Sequence, residues 1–98
     1  MGMSEKEKAV LTIIPTGSKK PIKGAMICEK TGLSKRVMQE TIANLITKHH
    51  AKIGAIRKGK ETGYYIVQNK ADLEMALRPL RAQVKRMEER INILESEK

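Results

Sequence analysis

Basic side chains are concentrated in one part of this 98-residue chain. The formal net charge is +9 at pH 7, and the segment from residue 16 to residue 60 carries all of it, since eleven Lys and Arg residues there face two Glu residues. The segments on either side are each neutral in sum. Because local excess charge opposes compaction, a segregated basic block indicates a polyanionic partner, and nucleic acid is the partner we expect.

The residue types that perform catalysis or bind metals do not form a constellation in the sequence. Cys28 is the single cysteine, so no disulfide within the chain is possible, and its apolar neighbours Met26 and Ile27 favour a small core residue over a nucleophile. His49 and His50 are adjacent, so on a helix they diverge by about 100° and do not share a metal ion. With no Gly-rich phosphate loop, carboxylate pair or nucleophile elbow, we expect no enzyme, no cofactor and no metal.

Length and hydrophobicity set the class of protein. A chain of 98 residues, 40% of them hydrophobic, can build one compact core but not two. No stretch approaches the roughly 20 apolar residues of a membrane-spanning helix, and no N-terminal apolar run resembles a signal peptide. We therefore expect one domain with an appendage, no membrane partner and a cytoplasmic location.

Capping signals predict two helices before residue 32. Ser4 and Glu7 have the spacing of a capping box, which predicts a helix from about Glu5 to Ile14. A basic connector at residues 19–23 follows, with Ile22 as a candidate one-residue strand. A short second helix is predicted at residues 25–30, with Met26 and Ile27 turned inward, and Gly32 ends it in the left-handed conformation.

A third helix is predicted from Lys35 to about Lys48, with Ser34 as its cap and Leu33 pointing back into the core. One side has the three- and four-residue spacing of a buried stripe. The stripe consists of Val37, Met38, Ile42, Leu45 and Ile46. The opposite, polar face carries Lys35, Arg36, Gln39, Glu40, Ala43, Asn44 and Thr47.

Two strand-like runs, at residues 52–57 and 64–67, predict a β-hairpin with an exposed tip at residues 58–63. The tip carries three charges and two glycines, so it is not built for core packing. Tyr64 and Tyr65 alternate between the faces of the second strand, which places one of them in the core.

From Ala71 onward the pattern is helical, with apolar residues at alternating spacings of four and three. Such a heptad seam predicts a dimerisation helix, at residues 71–98, attached to a domain at residues 1–70. Pro79 lacks the amide that would bond to Met75, which predicts a kink or a division into a short and a longer helix. We expect the first two seam residues to pack on the domain and the others to pair with a second copy; the alternative is that the helix folds back onto its own domain. The seam consists of Leu73, Leu77, Leu80, Val84, Met87, Ile91 and Leu94.

The order helix, turn, helix and hairpin, with residues 31–34 (TGLS) leading into residues 35–39 (KRVMQ), resembles winged helix-turn-helix DNA-binding domains. The tract at residues 63–67 (GYYIV) is similar to the second wing strand of biotin-repressor-type modules and of small winged-helix proteins from phages and plasmids of Gram-positive bacteria. The resemblance covers roughly residues 4–69 and departs from the family where His49 and His50 replace the Gly that usually closes the recognition helix. It implies a mainly α fold with a small β-hairpin (α+β), followed here by a long coiled-coil-like helix.

The resemblance also implies roles for the basic and polar residues. In such folds the second helix of the pair enters the major groove by its first turns, where long donors reach base edges or phosphates, and the wing contacts the minor groove or phosphates. The base-reading candidates are Lys35, Arg36 and Gln39, with Ser34 as cap and phosphate donor. Backbone contacts are expected from Asn44 and Lys48, and wing contacts from Arg57, Lys58 and Lys60, while Lys19 and Lys20 add electrostatic attraction only.

The leading hypothesis is a sequence-specific binder of double-stranded DNA, a dimeric transcription regulator of prokaryotic or phage origin. An alternative is a replication or assembly accessory that uses both the winged domain and the coil to contact proteins. RNA binding is a third. If the chain binds random-sequence duplex DNA and this binding weakens steeply with salt, the DNA-binding hypothesis is favoured over the accessory-protein hypothesis.

Overall fold

The computed structural model describes residues 2–96, and within this range the chain is a mixed α+β protein in which helix predominates. This agrees with the expected class. In chain order the elements are α1 (Glu5–Ile13), β1 (Ile22–Lys23), α2 (Gly24–Thr31), α3 (Lys35–His49), β2 (Ile53–Lys58), β3 (Glu61–Ile66) and α4 (Lys70–Glu95).

The strands form one antiparallel sheet in the order β1-β3-β2. The predicted hairpin is present, and β1 extends it to three strands by placing Ile22 opposite Tyr64. The hairpin is tighter than predicted, because β2 continues to Lys58 and β3 begins at Glu61, so that two residues replace the expected six-residue tip. The reason is Gly59, whose φ of 61° supplies the left-handed first position that a two-residue type II′ turn requires.

Side-chain caps define the helix starts, as the sequence predicted. The Ser4 hydroxyl accepts a hydrogen bond from the amide of Glu7 (3.1 Å), and the Glu7 carboxylate accepts one from the amide of Ser4 (2.9 Å). The Ser34 hydroxyl likewise accepts from the amide of Val37 at the start of α3. At the other end of α3, His50 adopts the left-handed conformation (φ 57°) in which glycine is the usual residue.

The core lies between α1, α2 and α3. Its buried apolar side chains are Val10, Ile14, Ile27, Met38, Ile42 and Leu45. The prediction that Met26 points inward with Ile27 is wrong, since the Met26 side chain is 42% exposed. Neighbouring side chains of a helix point about 100° apart, so only one of Met26 and Ile27 can point into the core. The same reason leaves Ile46 exposed beside the buried Leu45.

On the far side of the sheet, Tyr65 is the tyrosine that is buried. It pairs with Gly54 across the hairpin, and its ring covers that glycine so closely that a Cβ atom there would lie 2.4 Å from Tyr65 Cζ. The Tyr65 hydroxyl donates to the main-chain oxygen of Asp72 (3.0 Å). The sheet is therefore joined to the first turn of α4.

Asp72 completes this junction. Its carboxylate accepts a hydrogen bond from the amide of Gln68 (3.1 Å), and its own amide donates to the side chain of Asn69, the cap of α4 (2.9 Å). The hydroxyl of Ser18 and the amide of Gln68 stabilise the charged form and hold the pKa of Asp72 below its ordinary value. A buried, hydrogen-bonded carboxylate thus fixes where α4 begins.

Helix α4 is continuous over 26 residues, a length of about 39 Å at 1.5 Å per residue. The predicted division at Pro79 does not occur, because strong helix formers surround the proline and their hydrogen bonds on both sides outweigh the one missing amide. The long axis of the molecule is 52 Å and its radius of gyration 15.7 Å, larger than the roughly 13 Å of a compact chain of this size. Among the described residues no helix is both long enough and apolar enough to cross a membrane.

Candidate nucleic-acid interface

The first turns of α3 and the hairpin enclose one groove. Its volume is about 370 Å³. Helix α3 contributes Lys35, Met38 and Gln39, the hairpin contributes Arg57, Lys60, Glu61, Thr62 and Tyr64, and the segment from β1 into α2 contributes Lys23, Gly24, Ala25 and Cys28. We call this the α3–hairpin groove.

Four residues predicted to bind DNA lie on this groove although 18 positions separate the two pairs along the chain. They are Lys35 and Gln39 of α3 and Arg57 and Lys60 of the hairpin. Three of the four are cations. The groove therefore joins long hydrogen-bond donors of a helix start to positive charge on a protruding hairpin.

Other predicted residues lie outside the groove lining. Arg36, on the same first turn of α3, is 87% exposed and pairs with Glu40 at 3.7 Å, a distance at which an exposed pair adds little stability. Ser34 uses its hydroxyl as the α3 cap. Asn44 is half-buried further along α3, whereas Lys19, Lys20 and Lys48 are exposed. Lys58 ends β2 opposite Glu61, and its side chain lies outside the described part of the structure.

Sequence reasoning assigned no role to Lys23 in this groove. Its Nζ atom lies 3.2 Å from Glu61 Oε1, across the junction of β1 and β3. Lys23 belongs to the basic block, and the pairing of β1 with β3 brings it to the hairpin. The sequence indicates this pairing only through one apolar residue, Ile22. The ion pair neutralises one cation, which leaves Lys35, Arg57 and Lys60 as the groove cations without an acidic partner within 4 Å among the described residues.

Tyr64 is a further lining residue that was not among the predicted DNA-binding residues. Strand alternation predicts its placement, because Tyr65 packs on the opposite side of β3, next to α4, while Tyr64 packs against the core of α1, α2 and α3. Burial raises the pKa of the Tyr64 hydroxyl, and its electrostatic interaction with Cys28 adds to this shift. At neutral pH the phenol is therefore protonated and can donate a hydrogen bond into the groove.

Two contacts hold α3 in place behind the groove. His49 Nε2 lies 3.1 Å from Glu7 Oε1, which joins the end of α3 to the start of α1. The pKa of Glu7 is lowered, chiefly by the hydrogen bond from the Ser4 amide and further by His49. At the other end, a Cβ atom on Gly24 would lie 3.1 Å from Met38 Cε, so the absence of a side chain lets α2 approach α3 closely.

A second surface is the apolar seam of α4. From Leu80 onward the seam residues are exposed, from 44% at Met87 to 83% at Leu94, so within this chain they do not fold back onto the domain. Nearer the domain, Leu77 is half-buried and Leu73 is 38% exposed. Seam residues before Pro79 are thus partly covered, and those after it are open to solvent.

The α3–hairpin groove and the exposed seam of α4 are the two candidate binding surfaces in the part of the chain described. Within residues 2–96 no group of three or more His, Cys, Asp or Glu side chains is placed to hold a metal ion. Comparisons of the chain with protein families, with curated proteins and with solved structures find no match.

Proposed function

We propose that this chain is a winged helix-turn-helix protein that binds double-stranded DNA sequence-specifically through the α3–hairpin groove. The observation that carries the proposal is the convergence of Lys35, Gln39, Arg57 and Lys60 on this groove. The element order up to β3, with β1 added to the hairpin at the β3 edge, is the order expected of a winged helix-turn-helix domain.

Base reading falls to the first turns of α3. Lys35 and Gln39 are four residues apart and so lie on one face of the helix, where both reach the groove. A Gln amide can form two hydrogen bonds with an adenine edge, and Lys can donate to the guanine acceptors. Arg36 is exposed on the same turn and has the length to reach a neighbouring base pair.

The hairpin acts as the wing. Arg57 and Lys60 supply positive charge beside α3, suited to phosphates or to the adjacent minor groove. Glu61, the acidic residue of the wing, lies 3.2 Å from Lys23, which partly offsets its repulsion toward a phosphate. The wing therefore contributes attraction that does not depend on sequence.

The exposed seam of α4 supports self-association. Most helical stability in proteins comes from packing of an apolar face, so an exposed apolar seam of this kind gains stability from a partner surface, and a second copy is the simplest one. A dimer presents two α3 helices and would prefer a pseudo-palindromic site. This is the arrangement of a prokaryotic or phage transcription regulator acting in the cytoplasm.

Selection of bound sequences from a random duplex pool tests the proposal. We expect a consensus with two related half-sites, and binding of random duplex that weakens steeply between low and moderate salt. Absence of duplex binding at low salt would contradict the proposal and favour an accessory protein that contacts other proteins. Preference for RNA over DNA duplex in direct competition would contradict the choice of DNA as the ligand and favour RNA binding.

A further inference from the structure

The heptad positions of the exposed seam carry information about how two α4 helices pair. With Leu77 at position a, the exposed part of the seam places Val84 and Ile91 at a, and Leu80 and Leu94 at d, with Met87 at the remaining d position. Branched residues at a combined with Leu at d favour two strands in parallel coils. Pro79 falls at position c, so the missing amide lies away from the seam.

We propose that two copies of α4 pair as a parallel two-stranded coil over Leu80 to Leu94, which sets both domains side by side at the same end. This inference rests on the proposed self-association of α4 and adds its orientation. Parallel pairing stacks each of the five exposed seam residues on its own counterpart. It needs no contribution from Leu77, which is already half-buried within the single chain.

An antiparallel pairing uses the same seam less well. In a-to-d layers, one register pairs Val84 with Leu94 and Met87 with Ile91, which leaves Leu80 without a partner layer among the residues of α4. The next register pairs Leu94 with Leu77, which is half-buried against its own domain. Each antiparallel register therefore either loses an apolar layer or requires movement of the domain.

Charges beside the seam favour the same orientation. In the parallel pair, Arg90 at position g faces Glu95 at position e of the partner helix, twice by symmetry, and Gln83 faces Glu88 without repulsion. The first antiparallel register brings Glu88 against its own copy and Arg90 against its own copy. The second brings Glu74 against Glu95 but also Arg81 against Glu88, so its like and opposite charges offset each other, whereas the parallel pair has the attraction without the repulsion.

The functional consequence is geometric. The hydrogen bond between Tyr65 and Asp72 fixes the first turn of α4 to the sheet, so the orientation of the coil sets the positions of both α3–hairpin grooves. A parallel coil brings the two grooves to one end, where they can reach neighbouring half-sites of one duplex. An antiparallel coil places them at opposite ends.

Disulfide trapping in the full chain tests the orientation. Leu94→Cys places a thiol at a d position, whereas Ile93→Cys places one at the adjacent, outward position c; both parent side chains are largely exposed, at 83% and 72%. At equilibrium in a glutathione buffer we expect Leu94→Cys to form a covalent dimer as its major species. We expect less than about one tenth of that yield from Ile93→Cys and from the parent chain, which contains Cys28 alone, because only facing Cβ atoms fit disulfide geometry.

Sedimentation of the unmodified full chain, without DNA, accompanies the trapping. A dimer that does not trap through Leu94→Cys, but does trap when Leu94→Cys is mixed with Val84→Cys or Leu77→Cys, would overturn the parallel orientation and leave self-association intact. A monomer at tens of micromolar would overturn both. Neither trapping nor sedimentation involves DNA. A failure of the proposed DNA binding is therefore distinguishable from a failure of the proposed coil orientation.

Discussion

Tyr65 and Asp72 are joined by a hydrogen bond of 3.0 Å from the tyrosine hydroxyl to the main-chain oxygen at the start of α4. This bond links the last strand of the hairpin sheet to the long C-terminal helix. Because Tyr65 is fully buried and its ring lies over Gly54, the bond is protected from water and the sheet and helix share one packed junction. The junction connects the hairpin proposed to contact DNA to the surface proposed for self-association.

Stability should depend on this junction. Tyr65→Phe removes the hydrogen bond and keeps the ring, so we expect a loss of about 1 kcal/mol in the free energy of unfolding. Gly54→Ala forces a Cβ atom into the ring of Tyr65 and should cost more, about 2 kcal/mol or above. Urea unfolding measures both. Tyr64→Phe is the matched control, and an equal loss in the control would show that the hydroxyl of Tyr65 has no special role.

Acid should weaken the same junction. The hydrogen bonds from Ser18 and Gln68 lower the pKa of Asp72 in the folded state, so its contribution is fully present above the unfolded pKa of about 4 and is lost as pH falls through the folded pKa. We expect Asp72→Asn to lower stability at pH 7 and to reduce the slope of stability against pH below about pH 4. Unfolding midpoints from pH 7 to pH 2.5 test this. A variant that keeps the full acid dependence of the parent would show that other carboxylates cause it.

Base reading by α3 should appear as a loss of discrimination. Gln39→Ala and Arg36→Ala should each lower affinity for the best duplex by about 1 to 3 kcal/mol while barely changing affinity for random duplex. Thr47→Ala, exposed near the far end of α3, is the matched control and should change neither. Equal losses on both duplexes would assign Gln39 and Arg36 to phosphate contacts.

The hairpin cations should act on salt dependence. Replacing Arg57 and Lys60 together by Gln should weaken selected and random duplexes alike and flatten the plot of log affinity against log salt by about two units, since each phosphate contact contributes about 0.9. The control removes two cations from α1, with Lys6→Gln and Lys8→Gln, and should leave the slope unchanged. A slope that responds equally to both pairs would indicate that only total charge matters.

Sequence patterns predicted the elements that depend on local signals. The Ser4 and Ser34 caps, the left-handed Gly32 and the buried stripe of α3 at Met38, Ile42 and Leu45 were each confirmed. These features depend on residues only a few positions apart, so the spacing of residue types in the sequence is enough to predict them.

Features that depend on distant partners were harder to predict. The hairpin turn was predicted too long, since pairing of Lys58 with Glu61 is decided by the whole β2–β3 register. The role of Lys23 followed from a two-residue strand whose pairing has almost no local signal. The predicted division of the C-terminal helix at Pro79 was wrong, because one missing amide is set against the other hydrogen bonds of a helix of 26 residues. Long-range pairing therefore determined which cations reach the groove.

The most direct test of the central claim is to map amide chemical shifts of the labelled full chain during titration with the selected duplex. We expect the largest changes at residues 23–25, 35–39 and 57–64, which line the groove or its wing, and small changes at residues 80–95 of α4. Changes concentrated on α4, or none in the first turns of α3, would contradict DNA binding through the α3–hairpin groove.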